Sequence, residues 1–295
     1  MREMTDAGGC PICGRPDRLR LAEQLFRCRS CHLTYQDPRP SVERVRAYYD
    51  LKIYTNPSTS ERIDQRRRGL FLDFLDRVPA EGRRRLLDVG CGTGEFLRLA
   101  KGRGWDAYGV ELSPEAVEVA NRLGLAVSLG MLRDQGETDM SFPDGWFDIV
   151  TLWNVLDLFP RPREPLREIH RVLAPDGQLF IRTPNEHFHL NAYRLSRLLR
   201  WPSSLARLSD DAYIFHSLLW SPKSLRILLE TSGFRKIRFW NSPLSWGDPY
   251  QVVPQERERV VRMIKRLVYG AAQVVSGVSG TRWLLGPSLS VLARK

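Results

Sequence analysis

The sequence predicts an α/β protein on a mostly parallel, doubly wound sheet, preceded by a small cysteine-rich unit. Three observations predict it. From residue 85 onward, short apolar runs alternate with amphipathic stretches at helical spacing. A glycine-rich turn joins the first apolar run to the first of those helices. Two Cys-x2-Cys pairs crowd the first 31 residues.

Taken in order, the strands are expected at 85–89, 106–110, 125–129, 147–152 and 178–183, with helices at 94–103, 114–123 and 163–173 between them. A helix at 221–232, a strand at 234–240 and a last strand near 289–293 complete the pattern. Two stretches break the rhythm, at about 185–215 and 241–286, and read as lid insertions. Upstream, 41–84 reads as a polar helical linker region, with Leu70, Phe71, Phe74, Leu75 and Val78 at helical spacing. The expected division is therefore 1–40 for the cysteine unit, 41–84 for the linker region and 85–295 for the α/β domain.

At 295 residues, with 42% apolar and 27% charged residues, the chain suits one large domain and a small appendage. No run of about eighteen apolar residues marks a membrane span. The N-terminus lacks the apolar stretch of a secretion signal, so the expected location is cytoplasmic. The net charge is +11 and the pI about 9.8, which admits nucleic acid, anionic lipid or an acidic ligand as partner. Only six of the 45 basic residues are lysines, so arginine dominates. Arginine-rich coding from a GC-rich genome explains that equally well.

Fourteen residues separate the pair Cys10 and Cys13 from the pair Cys28 and Cys31. A two-residue gap lets both thiolates of a pair face one ion, and two such knuckles make a closed tetrahedral site. Zinc is the expected metal. A site with no open position is structural, and so short a segment relies on its metal to fold. His32 is not needed as a ligand. Arg15, Arg18, Arg20, Arg27 and Arg29 decorate the unit and read either as a nucleic-acid face or as a solvated surface.

The most informative segment runs Leu86-Leu87-Asp88-Val89-Gly90-Cys91-Gly92-Thr93-Gly94-Glu95-Phe96. Glycines let the backbone turn sharply and approach a ligand closely. The next strand ends at Glu111, placed to bind the two hydroxyls of a ribose. Dinucleotide binding is the rival, but its turn reads Gly-x-Gly-x-x-Gly, whereas this one is compressed to Gly-x-Gly-x-Gly. Asp88 before the turn also leaves little provision for a pyrophosphate.

With these residues the chain resembles the class I S-adenosylmethionine (SAM) dependent methyltransferases over roughly 85–240. The resemblance implies a Rossmann-like seven-stranded methyltransferase fold behind the zinc ribbon. It implies that Gly90, Cys91, Gly92 and Gly94 wrap the methionyl part of SAM, with Asp88 near its amino group. Glu111 would then hold the ribose and Leu112 flank the adenine. Met131 falls where many relatives carry an acidic residue towards the adenine. Trp153 and Asn154 follow on the cofactor side.

Segment 153–162 resembles one that usually ends Glu-His-Leu-Pro-x-Pro, with Asp157 in place of the glutamate and Leu158 in place of the histidine. Asp157 is a catalytic candidate or a loop cap. His216-Ser217-Leu218-Leu219-Trp220-Ser221-Pro222 resembles the recurring His-Leu-x-x-Phe-Ser-Pro, which makes His216 the leading candidate for the acceptor pocket, ahead of His187 and His189. A hydroxyl acceptor needs such a base.

The resemblance therefore implies methyl transfer to a small-molecule, glycan or lipid-linked acceptor, with O-methylation favoured. Basic amphipathic segments at 188–208 and 257–275 are expected either to pack as lids or to touch a membrane surface peripherally. An RNA-modifying methyltransferase and a non-catalytic SAM-binding protein are the alternatives.

Overall fold

A computed structural model describes residues 4–5, 8–55, 57–78, 84–132, 142–198, 217–245 and 255–295. The chain opens with β1 (Met4–Thr5), β2 (Arg18–Arg20), β3 (Leu25–Cys28), β4 (Thr34–Gln36) and β5 (Arg39–Pro40). Helix α1 (Val42–Tyr49) follows, N-capped by Ser41, whose Oγ accepts from the Arg44 amide at 3.2 Å. It runs directly into a π-helical turn, Asp50–Tyr54, and then α2 (Pro57–Arg77).

The α/β part comprises β6 (Arg85–Val89), α3 (Glu95–Lys101), β7 (Asp106–Glu111), α4 (Pro114–Arg122), β8 (Ala126–Leu129), β9 (Phe147–Trp153), α5 (Arg163–Val172) and β10 (Leu173–Pro184). Beyond it come α6 (Glu186–Leu198), β11 (Leu218–Leu219), α7 (Pro222–Thr231), β12 (Arg235–Asn241), α8 (Gln255–Val278) and β13 (Ser288–Arg294). Ser113 and Ser221 cap α4 and α7, each followed by a proline in the first turn.

Seven strands make the main sheet in the order β12-β13-β10-β9-β6-β7-β8. It is parallel except for β13, which runs antiparallel to both neighbours. The expected strands and helices of the α/β part all form, each within a few residues of the expected ends, although β10 starts earlier and carries a bulge between Leu173 and Gln178. The central β9 is buried on both faces, which is why its sequence is an almost unbroken apolar run.

Helices cover both faces. On one, Leu87, Val150 and Leu152 pack with Leu166, Ile169, Leu225 and Leu228 of α5 and α7. On the other, Phe71 and Phe74 of α2 join Phe96, Trp153 and Phe180, with Phe71 and Trp153 centroids 4.8 Å apart and Phe74 and Phe180 4.3 Å apart. The helical stretch upstream of residue 85 is thus a layer on the sheet.

The ribbon is joined to the same body. Strand β11 pairs antiparallel with β4, extending the ribbon's sheet to four strands in the order β11-β4-β3-β2. Ile12, Leu33 and Tyr35 share one core with Leu218, Trp220 and Leu225. Of the expected insertions, α6 and α8 are described, while 199–216 and 246–254 lie outside the described residues. Among the described residues no helix is long and apolar enough to cross a membrane.

Candidate functional site

The carboxyl ends of β6, β7 and β9 open into a cavity of about 140 Å³. Where β6 ends, the backbone turns at Gly90, Gly92 and Gly94, with φ of 73°, 56° and 88°. Side-chain-bearing residues rarely adopt such angles. A Cβ at Gly90 would lie 2.5 Å from a Val155 methyl, and one at Gly94 would lie 2.4 Å from Leu125.

Two carboxylates sit under this turn. Asp88 is 2% exposed and accepts from the Thr151 hydroxyl at 2.6 Å. Burial pushes its pKa up to about 8 against that hydrogen bond, and nearby Glu111 pushes in the same direction. Glu111 is folded back beneath the loop. Its Oε2 accepts from the Gly92 amide at 2.8 Å, and its Oε1 accepts from Leu112 and Ser113 at 2.8 and 3.0 Å. Burial raises its pKa despite these three donors.

The opposite wall comes from residues 42–67, which sequence reasoning did not place at the site. Val42, Val45, Arg46, Tyr49, Ile53, Tyr54, Ile63, Asp64 and Arg67 all line the cavity. The Tyr54 hydroxyl stands over the glycine turn, 3.1 Å from where a Gly92 Cβ would lie. Asp64 accepts from the Thr93 hydroxyl at 2.7 Å, fastening α2 to the turn, and burial pushes its pKa up to about 6. A π-helical turn ending on a tyrosine was a local signal for this wall, since such turns gather at functional sites. It is invisible in residue types alone.

The expected cofactor residues Asp88, Gly90, Cys91, Gly92, Glu111, Leu112, Met131, Trp153 and Asn154 all line this cavity. Gly94 does not line it but closes the turn, its amide donating to the Cys91 carbonyl at 3.1 Å. Asn154 has a left-handed φ of 58° and is held from behind: its Oδ1 accepts from Arg182 at 2.7 Å, and Arg182 donates to the Ser242 hydroxyl at 2.8 Å.

Asp157 is buried and does not line the cavity, whereas its neighbours Leu158 and Phe159 do. The Ser217 hydroxyl donates to its carbonyl at 2.7 Å. His216 lies outside the described residues. His187 follows the start of α6, its amide donating to the Asn185 side chain at 3.2 Å.

In the ribbon, the ligand atoms of Cys10, Cys13, Cys28 and Cys31 lie within 4.8 Å of one another. Cys10 and Cys31 sulfurs are 3.3 Å apart, and Cys13 and Cys28 sulfurs 3.5 Å apart. Four sulfurs so gathered match a tetrahedron with metal–sulfur bonds of about 2.3 Å. The ribbon's arginines make contacts within the protein, although Arg15, Arg20 and Arg29 stay exposed. Arg18 pairs with Asp37, Arg27 with Glu186 at 2.5 Å and Arg29 with Asp17 at 3.3 Å, while Arg20 donates to backbone carbonyls.

Residues 63–238 match a family model described as a methyltransferase domain. The chain is 37% identical over 117 residues to a ubiquinone biosynthesis O-methyltransferase of Xanthomonas oryzae pv. oryzae, which covers 39% of this chain and 48% of that protein. It is 28% identical over 120 residues to its namesake in Pseudomonas aeruginosa, covering 40% and 52%. The chain therefore spans about half the length of these curated relatives. Among solved structures, it resembles Haemonchus contortus phosphoethanolamine N-methyltransferase 2 in complex with S-adenosyl-L-methionine, at a TM-score of 0.54 and 18% identity over 88% of this chain and 62% of that one. A SAM-dependent methyltransferase from Thermotoga maritima gives 0.53 and 17%, over 85% and 99%. At such identities the structural likeness concerns the fold.

Proposed function

The chain belongs to the methyltransferase domain family, and we propose that it transfers a methyl group from SAM to a small-molecule, glycan or lipid-linked acceptor, with oxygen the favoured atom. One observation carries this reading: Asp88 and Glu111 are both buried and line one cavity, where burial raises the pKa of each and the Glu111 carboxylate pushes that of Asp88 up further. A ligand with net positive charge relieves that repulsion. SAM brings an ammonium and a sulfonium, whereas the pyrophosphate of a dinucleotide would add anionic charge beside Asp64, Asp88 and Glu111.

When bound, SAM supplies a methyl group already activated for displacement, so the protein's task is alignment and exclusion of water. Asp88 holds the amino end, the glycine turn admits the methionyl chain, and Glu111 receives the ribose hydroxyls. Leu112 and Met131 flank the base. Tyr54, Asp64 and Phe71 close the opposite side. Trp153 and Asn154 form the floor towards the acceptor, and the Arg182 guanidinium fixes the Asn154 amide.

At the acceptor, His216 is the proposed base. Asp157 is proposed as a positioning residue for it, because the hydroxyl of Ser217, the next residue along, is bonded to the Asp157 carbonyl. The four ribbon cysteines are proposed to hold one structural zinc ion. The cytoplasm is the proposed location.

An RNA acceptor is the second reading, favoured by the net charge of +11. The pairing of Arg18 with Asp37 and of Arg27 with Glu186 takes two of the five ribbon arginines out of such a surface. Calorimetric titration with SAM tests the cofactor, and absence of heat and of thermal stabilisation would defeat the proposal. Turnover of labelled SAM against quinol, glycan and RNA acceptors then separates the readings. A SAM binder that turns over none of them would be non-catalytic.

A further inference from the structure

Helix α8 carries an apolar face that none of the described residues covers. Met263, Leu267, Ala271, Val274 and Val278 recur every three or four residues, so they form one line along four turns. All are exposed, Leu267 and Val274 at 66%. The opposite side of the helix is the one that packs: Ala272 and Ser276 are buried, and the Asn241 side chain donates to the Ala272 carbonyl at 3.1 Å. Past the helix, Trp283 is also 66% exposed.

This face has a fixed relation to the cavity. The carbonyl of Leu284, next to Trp283, accepts from the Asn185 side chain at 2.9 Å, and Asn185 follows directly on β10. The end of the line is therefore pinned to the carboxyl edge of the sheet, where the cofactor cavity opens.

Charge decides what covers it. From Arg259 to Lys295 the sequence has seven lysines or arginines and no aspartate or glutamate. Two copies meeting through this face would bring like charges together. RNA is bound through aromatic stacking platforms, which a row of aliphatic side chains does not provide. An aliphatic line flanked by arginines and ended by a tryptophan matches a lipid surface with anionic headgroups. We propose that the exposed line of α8, with Trp283 at its end, seats the protein on an anionic membrane and turns the mouth of the cavity towards the bilayer.

The proposal stands apart from methyl transfer, since its test needs neither SAM nor acceptor. The full chain is sedimented with vesicles of phosphatidylcholine alone, and of phosphatidylcholine and phosphatidylglycerol in equal parts, at low salt. Binding is expected to the anionic vesicles only. Leu267→Ser combined with Val274→Ser should weaken it by roughly tenfold or more, and Arg266→Glu should weaken it as well. Trp283→Gln, outside the helix, should weaken it without touching α8. Unchanged melting temperatures check that the variants fold. Wild-type protein left in the supernatant, or variants that all sediment like wild type, would overturn the proposal. So would a dimer in analytical ultracentrifugation that Leu267→Ser dissolves, because the face would then be covered by a second copy.

Discussion

Arg27 of the ribbon ion-pairs with Glu186 at the start of α6, nitrogen to oxygen 2.5 Å, with Glu186 only 2% exposed and Arg27 31% exposed. The Thr34 hydroxyl donates to the same carboxylate oxygen. Together with the pairing of β4 to β11, this contact makes the ribbon hold the chain on both sides of residues 199–216.

The asymmetry in burial predicts an asymmetry in mutational cost. Among the described residues, Arg27→Ala leaves a buried carboxylate with Thr34 as its remaining side-chain partner, and should cost about 3 kcal/mol. Glu186→Gln leaves an arginine that reaches water and should cost about 1 kcal/mol. Urea denaturation of the two variants measures the difference, and a larger cost for Glu186→Gln would contradict the pairing described.

Metal removal should be felt throughout the protein. One zinc ion per chain is expected by elemental analysis, and it should be lost in Cys10→Ser and Cys31→Ser. Because ribbon and main domain share strand pairing and core, scanning calorimetry should show a single transition lowered by roughly 5 °C or more. A separate early transition, with the main one unmoved, would mean that the ribbon is energetically isolated.

Asp88 predicts a pH dependence. Its folded pKa of about 8 lies above the usual 3.8, so the folded state binds the proton more tightly than the unfolded state. The stabilisation is complete at low pH and is lost as pH rises from about 4 to about 8. Asp64, raised to about 6, acts in the same direction. Melting temperatures of the SAM-free protein should fall across this window, and less steeply in Asp88→Asn. SAM affinity should rise over the same range, as the ammonium favours the ionised carboxylate, and the variant should lose that rise.

Glu111 is expected to dominate cofactor affinity. Glu111→Ala removes the ribose acceptor and also frees the Gly92, Leu112 and Ser113 amides. Calorimetry should show SAM binding weakened roughly 10- to 100-fold. Tyr54→Phe, which removes only the hydroxyl over the turn, should weaken it a few-fold.

The half of the site built on the sheet was legible because turn chemistry, strand ends and charge are local. Gly90, Gly92 and Gly94 all take the left-handed angles that their identity anticipates, and Glu111 ends its strand beside them. The other wall was hidden for a physical reason. Tyr54 and Asp64 reach the cavity only because α2 lies on the aromatic layer around Trp153, a long-range contact with no periodic trace in residues 42–67. The welding of the ribbon was equally opaque, since a two-residue strand such as Leu218–Leu219 is too short to stand out. The amphipathic character of 257–275 could be read, but only the placement of α8 shows that Met263, Leu267, Val274 and Val278 form the line that faces outward.

Because Glu186 lies 159 residues beyond Arg27, the ribbon leaves the ribosome long before its docking partner exists. Its thiolates are ready to take up metal while most of the sheet is still unmade, yet β4 keeps one edge open until Leu218 and Leu219 arrive. With the proposed zinc ion bound, nascent chains would carry a knuckle pair with an unsatisfied strand edge for much of their synthesis. Zinc starvation should accordingly be most damaging to newly made protein, while molecules already assembled resist it.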